Sequence, residues 1–454
     1  MLVPTSLQQE TWVRSLAAGG RLRAMPALVQ VEGELDLTRY RAALAALQDA
    51  HDSLRMTFRA DEPLSARVVP GPREEPEVSY LDARDTPSVW EAARDLLTTP
   101  FPLEGNRRIR SFVVRTGADT HMLGLAADHL AMDGLSLVLL ARDLLARYNA
   151  AGAHSATQSP ATPTSYADFA RRQRELLAGN WGARRKAYWY HHFDRWGSSQ
   201  PGSPLAVRLP DGTDWLSGQT MVLRAMLGEP VAQALDGAAR AHASTRFGVL
   251  AAALSREQLR MSDRSTAGVV TDFHGRVLPS TWTTLGLFSH GLNLFLDRAE
   301  ADDFGSAVRA VTDRVEGARS HAVPVRPLAK SWLAERGQDV GYGEPNFIYL
   351  GVRPQPARYL PTGDGGGLRA SPVDVGQLIN HALGSLTLLL TGSAQNLVLE
   401  GRFNAMLFRA PDVEAFVRAA LAAIGPSDVE ITTTPRTEAR MPSAHRLPAS
   451  GAVR

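Results

Sequence analysis

Asp128-His129-Leu130-Ala131-Met132-Asp133-Gly134 brings an imidazole, two carboxylates and a glycine into one short stretch. The stretch ends an apolar run, Met122 to Ala127, and precedes an aliphatic segment, Leu135 to Leu145. A short apolar run stopped by polar residues and glycine reads as a buried strand. Ser136 to Leu145, with Arg142 and Asp143 among apolar positions, is long enough for a helix. An imidazole at a strand end, beside a tight turn, is held at a fixed orientation and suits general-base chemistry. No G-x-S-x-G elbow accompanies it, so His129 is expected to take a proton rather than serve a seryl nucleophile. Asp128, His129 and Asp133 also admit a mixed nitrogen and oxygen metal site. Asp128 and His129 are adjacent, however, and point to opposite faces if the strand runs through them, so no metal is expected.

The elements that must position this turn can be read around it. Residues 25 to 33 alternate as a half-buried strand does. Leu37 to Asp49 reads as an amphipathic helix, with Leu44 and Leu47 opposite Arg41, and Ser88 to Leu97 as a second helix. Arg108 to Arg115 is an expected strand, paired through Thr116-Gly117-Ala118-Asp119 with the strand that ends at Asp128. Ala151 to Pro163 reads as a surface connection. Phe169 to Trp196 is a helical region broken near Gly179-Asn180-Trp181-Gly182. Further on, Ala232 to Ala243, Gly248 to Leu259 and Asp412 to Ile424 read as helices, the last behind Pro411. Thr266 to Asp272 and Asn346 to Leu350 read as strands, and Leu386 to Leu390 with Leu397 to Phe403 as a hairpin. Gly363-Asp364-Gly365-Gly366-Gly367 lacks the Lys-Ser/Thr of a phosphate loop and is expected to be a mobile loop. Ser427 to Arg454 is polar, proline-rich and poorly periodic, so it is expected to be disordered or loosely attached.

Bulk properties narrow the function. A chain of 454 residues exceeds one ordinary core and predicts two domains or two lobes. Lys+Arg 49 against Asp+Glu 47 leaves a formal net charge of +2. No dense basic cluster interleaved with aromatics occurs, which argues against nucleic acid as a partner. Arg107-Arg108 and Arg184-Arg185-Lys186 are basic spots expected on a solvated surface. Cysteine is absent, which excludes disulfides, thiolate nucleophiles and cysteine metal sites. The N-terminus lacks the basic start and apolar run of a signal peptide, and no apolar run reaches the ~18 residues of a membrane helix. A soluble, cytoplasmic protein is expected.

Five segments, in order, resemble the motifs of condensation domains from nonribosomal peptide assembly lines, within the chloramphenicol-acetyltransferase-like superfamily. Thr5-Ser6-Leu7-Gln8-Gln9-Glu10-Thr11-Trp12 is similar to S-x-x-Q-x-x-x-W, and His51-Asp52-Ser53-Leu54-Arg55-Met56-Thr57-Phe58 resembles RHxxLRTxF with Ala50 in place of the first Arg. The seven-residue stretch resembles HHxxxDG, with His129, Asp133 and Gly134 on its second His, Asp and Gly and Asp128 on its first His. Tyr166-Ala167-Asp168-Phe169 with Tyr188-Trp189 resembles YxDYA…YW. Phe273-His274-Gly275-Arg276 with Gly286-Leu287-Phe288 is similar to SGR…GxF. The resemblance runs from about residue 4 to about residue 425.

It implies an α/β fold of two acetyltransferase-like lobes in a V-shaped pseudo-dimer, each a mixed sheet with packed helices. The expected division is 1–178 for the lobe carrying the motif, 179–426 for the second lobe and 427–454 for the tail. It further implies acyl transfer from a phosphopantetheine thioester, on a carrier protein or coenzyme A, to an amine or alcohol acceptor, forming an amide or ester in secondary-metabolite biosynthesis. His129 would be the catalytic residue, in a channel between the lobes open on both faces. Asp133 would turn inward to pair with Arg276. Gly134 would give close backbone approach or an N–H toward an oxyanion, or serve structure alone. Asp128 either caps local backbone or, beside the imidazole, favours its charged form. The two lobes fill the length, so a free-standing enzyme with its carrier in trans is expected, binding no cofactor of its own. A catalytically silent recruitment module is the alternative, for which Asp128 and Ala50 are departures in the right direction. An epimerase-like relative is a third reading, though Gly134-Leu135-Ser136 is closer to the condensation pattern.

Overall fold

The computed structural model describes residues 3–17, 24–61, 64–69, 77–83, 89–105, 107–152, 164–196, 203–210, 213, 218–337, 347–352, 360, 367–373, 385–392, 397–425 and 429–435. In the first half the elements are α1 (Ser6–Ala17), β1 (Ala24–Glu32), α2 (Leu37–Ala50), β2 (Met56–Arg59), β3 (Ser65–Val68), β4 (Val78–Asp82), α3 (Val89–Thr98), β5 (Ile109–Arg115), β6 (Thr120–Asp128), α4 (Gly134–Gly152), α5 (Tyr166–Ala178) and α6 (Asn180–Trp196). The second half contributes β7 (Thr220–Leu227), α7 (Glu229–Ala241), α8 (Arg246–Arg260), β8 (Thr266–Phe273), β9 (His290–Asp297), α9 (Phe304–Ser320), α10 (Val325–Arg336), β10 (Phe347–Val352), β11 (Arg369–Val373), β12 (Ser385–Thr391), β13 (Leu397–Asn404), α11 (Ala410–Ala422) and β14 (Glu430–Pro435).

Two mixed sheets result. The first has the order β11-β1-β6-β5-β4, and the second β14-β7-β13-β12-β10-β8-β9. The apolar run before His129 is β6, the central strand of the first sheet. Its alternate residues serve opposite faces: Leu123, Leu125 and Ala127 pack with α2 and α4, while Met122 and Ala126 pack with Ala93 and Leu97 of α3. Both faces are therefore covered, which is why this strand reads as continuous rather than alternating hydrophobicity. Gly124 is needed where the sheet presses on Phe112, because a Cβ there would run into the ring. In the second lobe α8 is buried along most of its length between the sheet and α7, α9 and α11.

Helix starts follow local chemistry. Asp36 caps α2 by accepting from the N–H groups of Thr38 and Arg39. Ser165, Thr245 and Asp303 cap α5, α8 and α9 in the same way. The helical region expected over 169–196 is two helices divided at Gly179.

Two expectations about organisation are corrected. Residues 369–373, placed by sequence in the second lobe, form β11 and pair antiparallel with β1 of the first sheet. Leu360 and Leu368 pack into the first lobe's core, and Asn149 of α4 accepts from the Leu368 N–H at 3.0 Å. Pro372 confines such a strand to a sheet edge, and five residues leave no period to read. Glu430–Pro435, expected in a loosely attached tail, is β14, hydrogen-bonded along β7 from Glu430↔Met226 to Pro435↔Met221. Consecutive threonines look polar, but their branched Cβ suits an edge strand, and Ile431 packs on the second lobe's core. The expected connection over 153–163, the glycine-rich loop over 363–366, the hairpin turn over 393–396 and the tail beyond 435 lie outside the described residues. Among the described residues no helix is long and apolar enough to cross a membrane.

Ile431→Asp tests the seating of β14. It is expected to lower the melting temperature by several degrees, because about 1.5–3 kcal/mol accompanies full burial of such a side chain and Ile431 is partly buried. An unchanged melt would mean that the segment contributes nothing to the lobe.

Candidate active site

The turn that carries His129 has most of its backbone polar groups engaged. Asp128 donates its N–H to Arg108 O at 3.0 Å, and its carbonyl accepts from Ala131 N at 2.9 Å and Met132 N at 3.1 Å. Leu130 N–H reaches the Asp128 carboxylate at 2.9 Å, and Leu130 O accepts from Gln8 Nε2 at 2.8 Å. Asp133 N–H crosses to Gly286 O at 3.0 Å. The imidazole is held by the same turn, with Nδ1 3.0 Å from Met132 O. A carbonyl can only accept, so Nδ1 carries the hydrogen and Nε2 of the neutral ring keeps its lone pair. His129 is half-buried, whereas its neighbours Asp128, Leu130, Ala131, Met132 and Asp133 are buried.

Asp133 and Arg276 meet as the resemblance implies, both fully buried, with Nη1 to Oδ2 at 3.0 Å. Asp133 Oδ2 also accepts from the N–H groups of Phe288 and Ser289, each at 3.0 Å. Its Oδ1 accepts from Ser136 N at 2.7 Å, capping α4, and from Arg276 Nη2 at 3.3 Å. Ser136 Oγ accepts from Arg276 Nη2 and donates to Gly286 O, both at 2.7 Å. One carboxylate thus starts the helix after the His129 turn and fastens it to the second lobe. Gly134, first residue of α4, is exposed, and a Cβ there would meet nothing within 4 Å. Its backbone needs no glycine for conformational reasons, so the open space beside it is the feature to explain.

The other motif segments converge on this turn. Tyr166 packs at a tilt against Phe169 and edge-on against Phe288, donates its hydroxyl to Leu287 O at 2.8 Å and lies 3.2 Å from Thr5 Oγ1. Asp52 accepts from Ser165 Oγ and from the N–H groups of Tyr166 and Ala167, so the second segment sets the start of α5. His51 Nε2 lies 2.8 Å from Asp143 on α4, and the imidazole partner with Arg147 holds that carboxyl below its ordinary range against the cost of burial. Leu7, Met56, Phe58, Leu130, Tyr166, Phe169, Leu287 and Phe288 form one apolar cluster between the lobes.

Sequence reasoning missed Arg108, which it placed on a solvated surface. The guanidinium is fully buried and paired with Asp128 at 2.7 Å, whereas the neighbouring Arg107 is only half-buried and pairs with Glu77 at 2.8 Å, so the dipeptide hid a difference in burial between its two side chains. The Asp128 carboxylate is accordingly turned to Arg108 and to its own turn. His274 was also passed over. Its Nδ1 accepts from Arg276 N at 3.1 Å and its ring lies against Phe273 and Trp282. Burial, then the Arg276 charge, lowers its pKa from the usual value. Among the described residues no group of His, Cys, Asp and Glu is placed to hold a metal ion.

Asp133→Ala and Arg276→Ala are each expected to cost roughly 3–5 kcal/mol of stability, because each leaves a buried charge unpaired. The double variant Asp133→Leu/Arg276→Met should cost less than the sum of the two single changes. Denaturant titrations of the set check this, and additive losses would mean the two groups are not coupled.

A family model described as the condensation domain matches residues 1–340. Nonribosomal peptide synthetase kk1B of Curvularia clavata is 29% identical over 292 residues, 63% of this chain and 2% of that protein. The chain spans between 2% and 10% of the length of the curated relatives it matches. Among solved structures, the X-domain from teicoplanin biosynthesis superposes with a TM-score of 0.75 at 20% identity, covering 93% of this chain and 94% of that one. The first condensation domain of the calcium-dependent antibiotic synthetase, in complex with a substrate analogue, gives 0.69 at 20% identity, covering 93% and 96%. These likenesses confirm the two-lobed acetyltransferase-like fold, and the family match falls on the segments that build the His129 turn: the chain belongs to the condensation-domain family.

Proposed function

We propose that the chain is an acyltransferase that condenses a phosphopantetheine-bound acyl thioester with an amine or alcohol in natural-product biosynthesis. The observation that carries this reading is the half-exposed His129 imidazole, fixed through Nδ1 so that Nε2 is available as a base, in a turn whose residues 128 and 130–133 are buried. The donor is an acyl group on a carrier protein, with coenzyme A as the variant that presents the same pantetheine arm. No resident cofactor or metal enters the scheme, and Arg276, Asp133 and Gly134 support the turn.

The chemistry balances on the imidazole. Acceptor nitrogen or oxygen attacks the thioester carbonyl carbon while His129 Nε2 takes the acceptor's proton. The tetrahedral oxyanion collapses, the C–S bond breaks, and the departing thiolate recovers the proton from the imidazolium. An α-amine with a reference pKa near ~7.8 is partly neutral at physiological pH, so positioning supplies much of the rate. A hydroxyl acceptor leans more on the base. The Gly134 N–H, in the first turn of α4, is assigned as the donor to the oxyanion. The channel is read as passing the open space at Gly134.

A recruitment module without catalysis is the second reading. It is favoured by Asp128 in place of the motif's first His and by the solved complex of the teicoplanin X-domain with OxyB, in which a structural neighbour is seen bound to another protein.

With acyl-loaded carrier and candidate amines or alcohols, followed by mass spectrometry, His129→Ala is expected to lower kcat/KM by about 10²–10⁴-fold with an unchanged melt. A drop below about fivefold would transfer support to the recruitment reading. Gly134→Ala is expected to hold or raise stability, since Ala exceeds Gly in a helix by roughly 0.5–1 kcal/mol, yet to lower turnover by crowding the channel. Wild-type turnover in that variant would put the substrate elsewhere.

A further inference from the structure

We propose that Arg108 and Asp128 act as one positioning device for His129, so that the histidine of the family motif at position 128 is incompatible with this chain while Arg108 remains. The proposal rests on the reading of His129 as the base. It adds a positioning residue, Arg108, from a segment outside the motifs.

Arg108 is fully buried and each of its N–H groups has a partner. Nε reaches Met56 O at 2.7 Å. Nη1 reaches Pro102 O and the Asp128 carboxylate, both at 2.7 Å. Nη2 reaches Leu103 O at 2.5 Å and Gly105 O at 2.8 Å. Four of these acceptors are neutral carbonyls, and Asp128 is the one anion among the hydrogen-bonded partners. A guanidinium stays charged under any condition in which the protein folds, so its burial depends on Asp128.

Asp128 is bound from the other side by the turn. Its Oδ2 pairs with Arg108, and its Oδ1 caps Leu130 N–H. Its backbone N–H is given to Arg108 O, and its carbonyl to Ala131 and Met132. Met132 in turn supplies the carbonyl that orients the His129 ring. The chain of contacts from Arg108 to the imidazole is therefore continuous: guanidinium, carboxylate, turn, carbonyl, Nδ1. A histidine at 128 cannot complete it. Neutral, it offers no charge to the guanidinium; protonated, it repels it. Restoring the family residue should thus damage this protein, and removing the charge at 108 should make that residue tolerable.

Amide exchange over residues 128–134 reads the turn without any substrate, and kcat and KM read the consequence. Asp128→His is expected to speed exchange in that segment by at least about tenfold while α8 keeps its protection. It should lower kcat by at least about tenfold, with KM for the donor within about twofold. Adding Arg108→Gln should recover at least half of both losses on a logarithmic scale. Asp128→Glu keeps the charge but displaces the cap, and serves if the histidine variant does not fold; its melt should stay near wild type while exchange in the turn rises. Wild-type exchange and kcat in Asp128→His, or no recovery on adding Arg108→Gln, overturns the proposal. If the turn opens as expected while His129→Ala leaves acyl transfer intact, the pairing stands and the catalytic reading alone falls.

Discussion

The Asp133–Arg276 pair is the contact on which the rest of the site depends. Its partners lie 143 residues apart in sequence, one at the start of α4 and one in the loop after β8. Such a pair contributes little net stability, because two charges must leave water, and the residual cost is offset here by backbone N–H groups from Ser136, Phe288 and Ser289. What it gains is geometry. The carboxylate that begins the helix behind the His129 turn is the same carboxylate that holds the second lobe, so neither can shift without the other. The aromatic cluster of Tyr166, Phe169 and Phe288 fills the space around it and keeps water from competing for the guanidinium.

Seen this way, the motif segments share one task. Gln8 holds Leu130 O, Asp52 starts α5 so that Tyr166 reaches Leu287, and Arg276 holds Asp133. Few of these residues are free to touch a substrate. They make a largely buried frame around a half-open His129, which is how a loosely spaced set of short sequence segments can specify one imidazole.

The parts of this arrangement that sequence made legible are those with a local signature. β6 announced itself by a covered, continuous apolar run, α4 by length, the break at Gly179 by its residues, and the turn by polar groups stopping the run. The pairing of Asp133 with Arg276 came from the resemblance and not from spacing, since nothing local links residues so distant. Arg108 was misread because a basic dipeptide gives no sign that one side chain is fully buried and its neighbour only half-buried. β11 and β14 are short and carry proline or threonine, so their strand character comes from the sheet edges that receive them. Edge strands are made by their partners more than by their own sequence.

The crossing of β11 onto β1 has a topological meaning for the molecule as a whole. A chain that leaves the first sheet, builds most of the second, and returns to add an outer strand to the first has stitched its halves together. Cutting such a protein at the obvious linker does not yield two independent folding units, because the leading fragment would present the unpaired edge of β1, an invitation to association with other chains. The returning strand ties the two halves by backbone hydrogen bonds, so the lobes cannot part without carrying that strand along or breaking its ladder with β1.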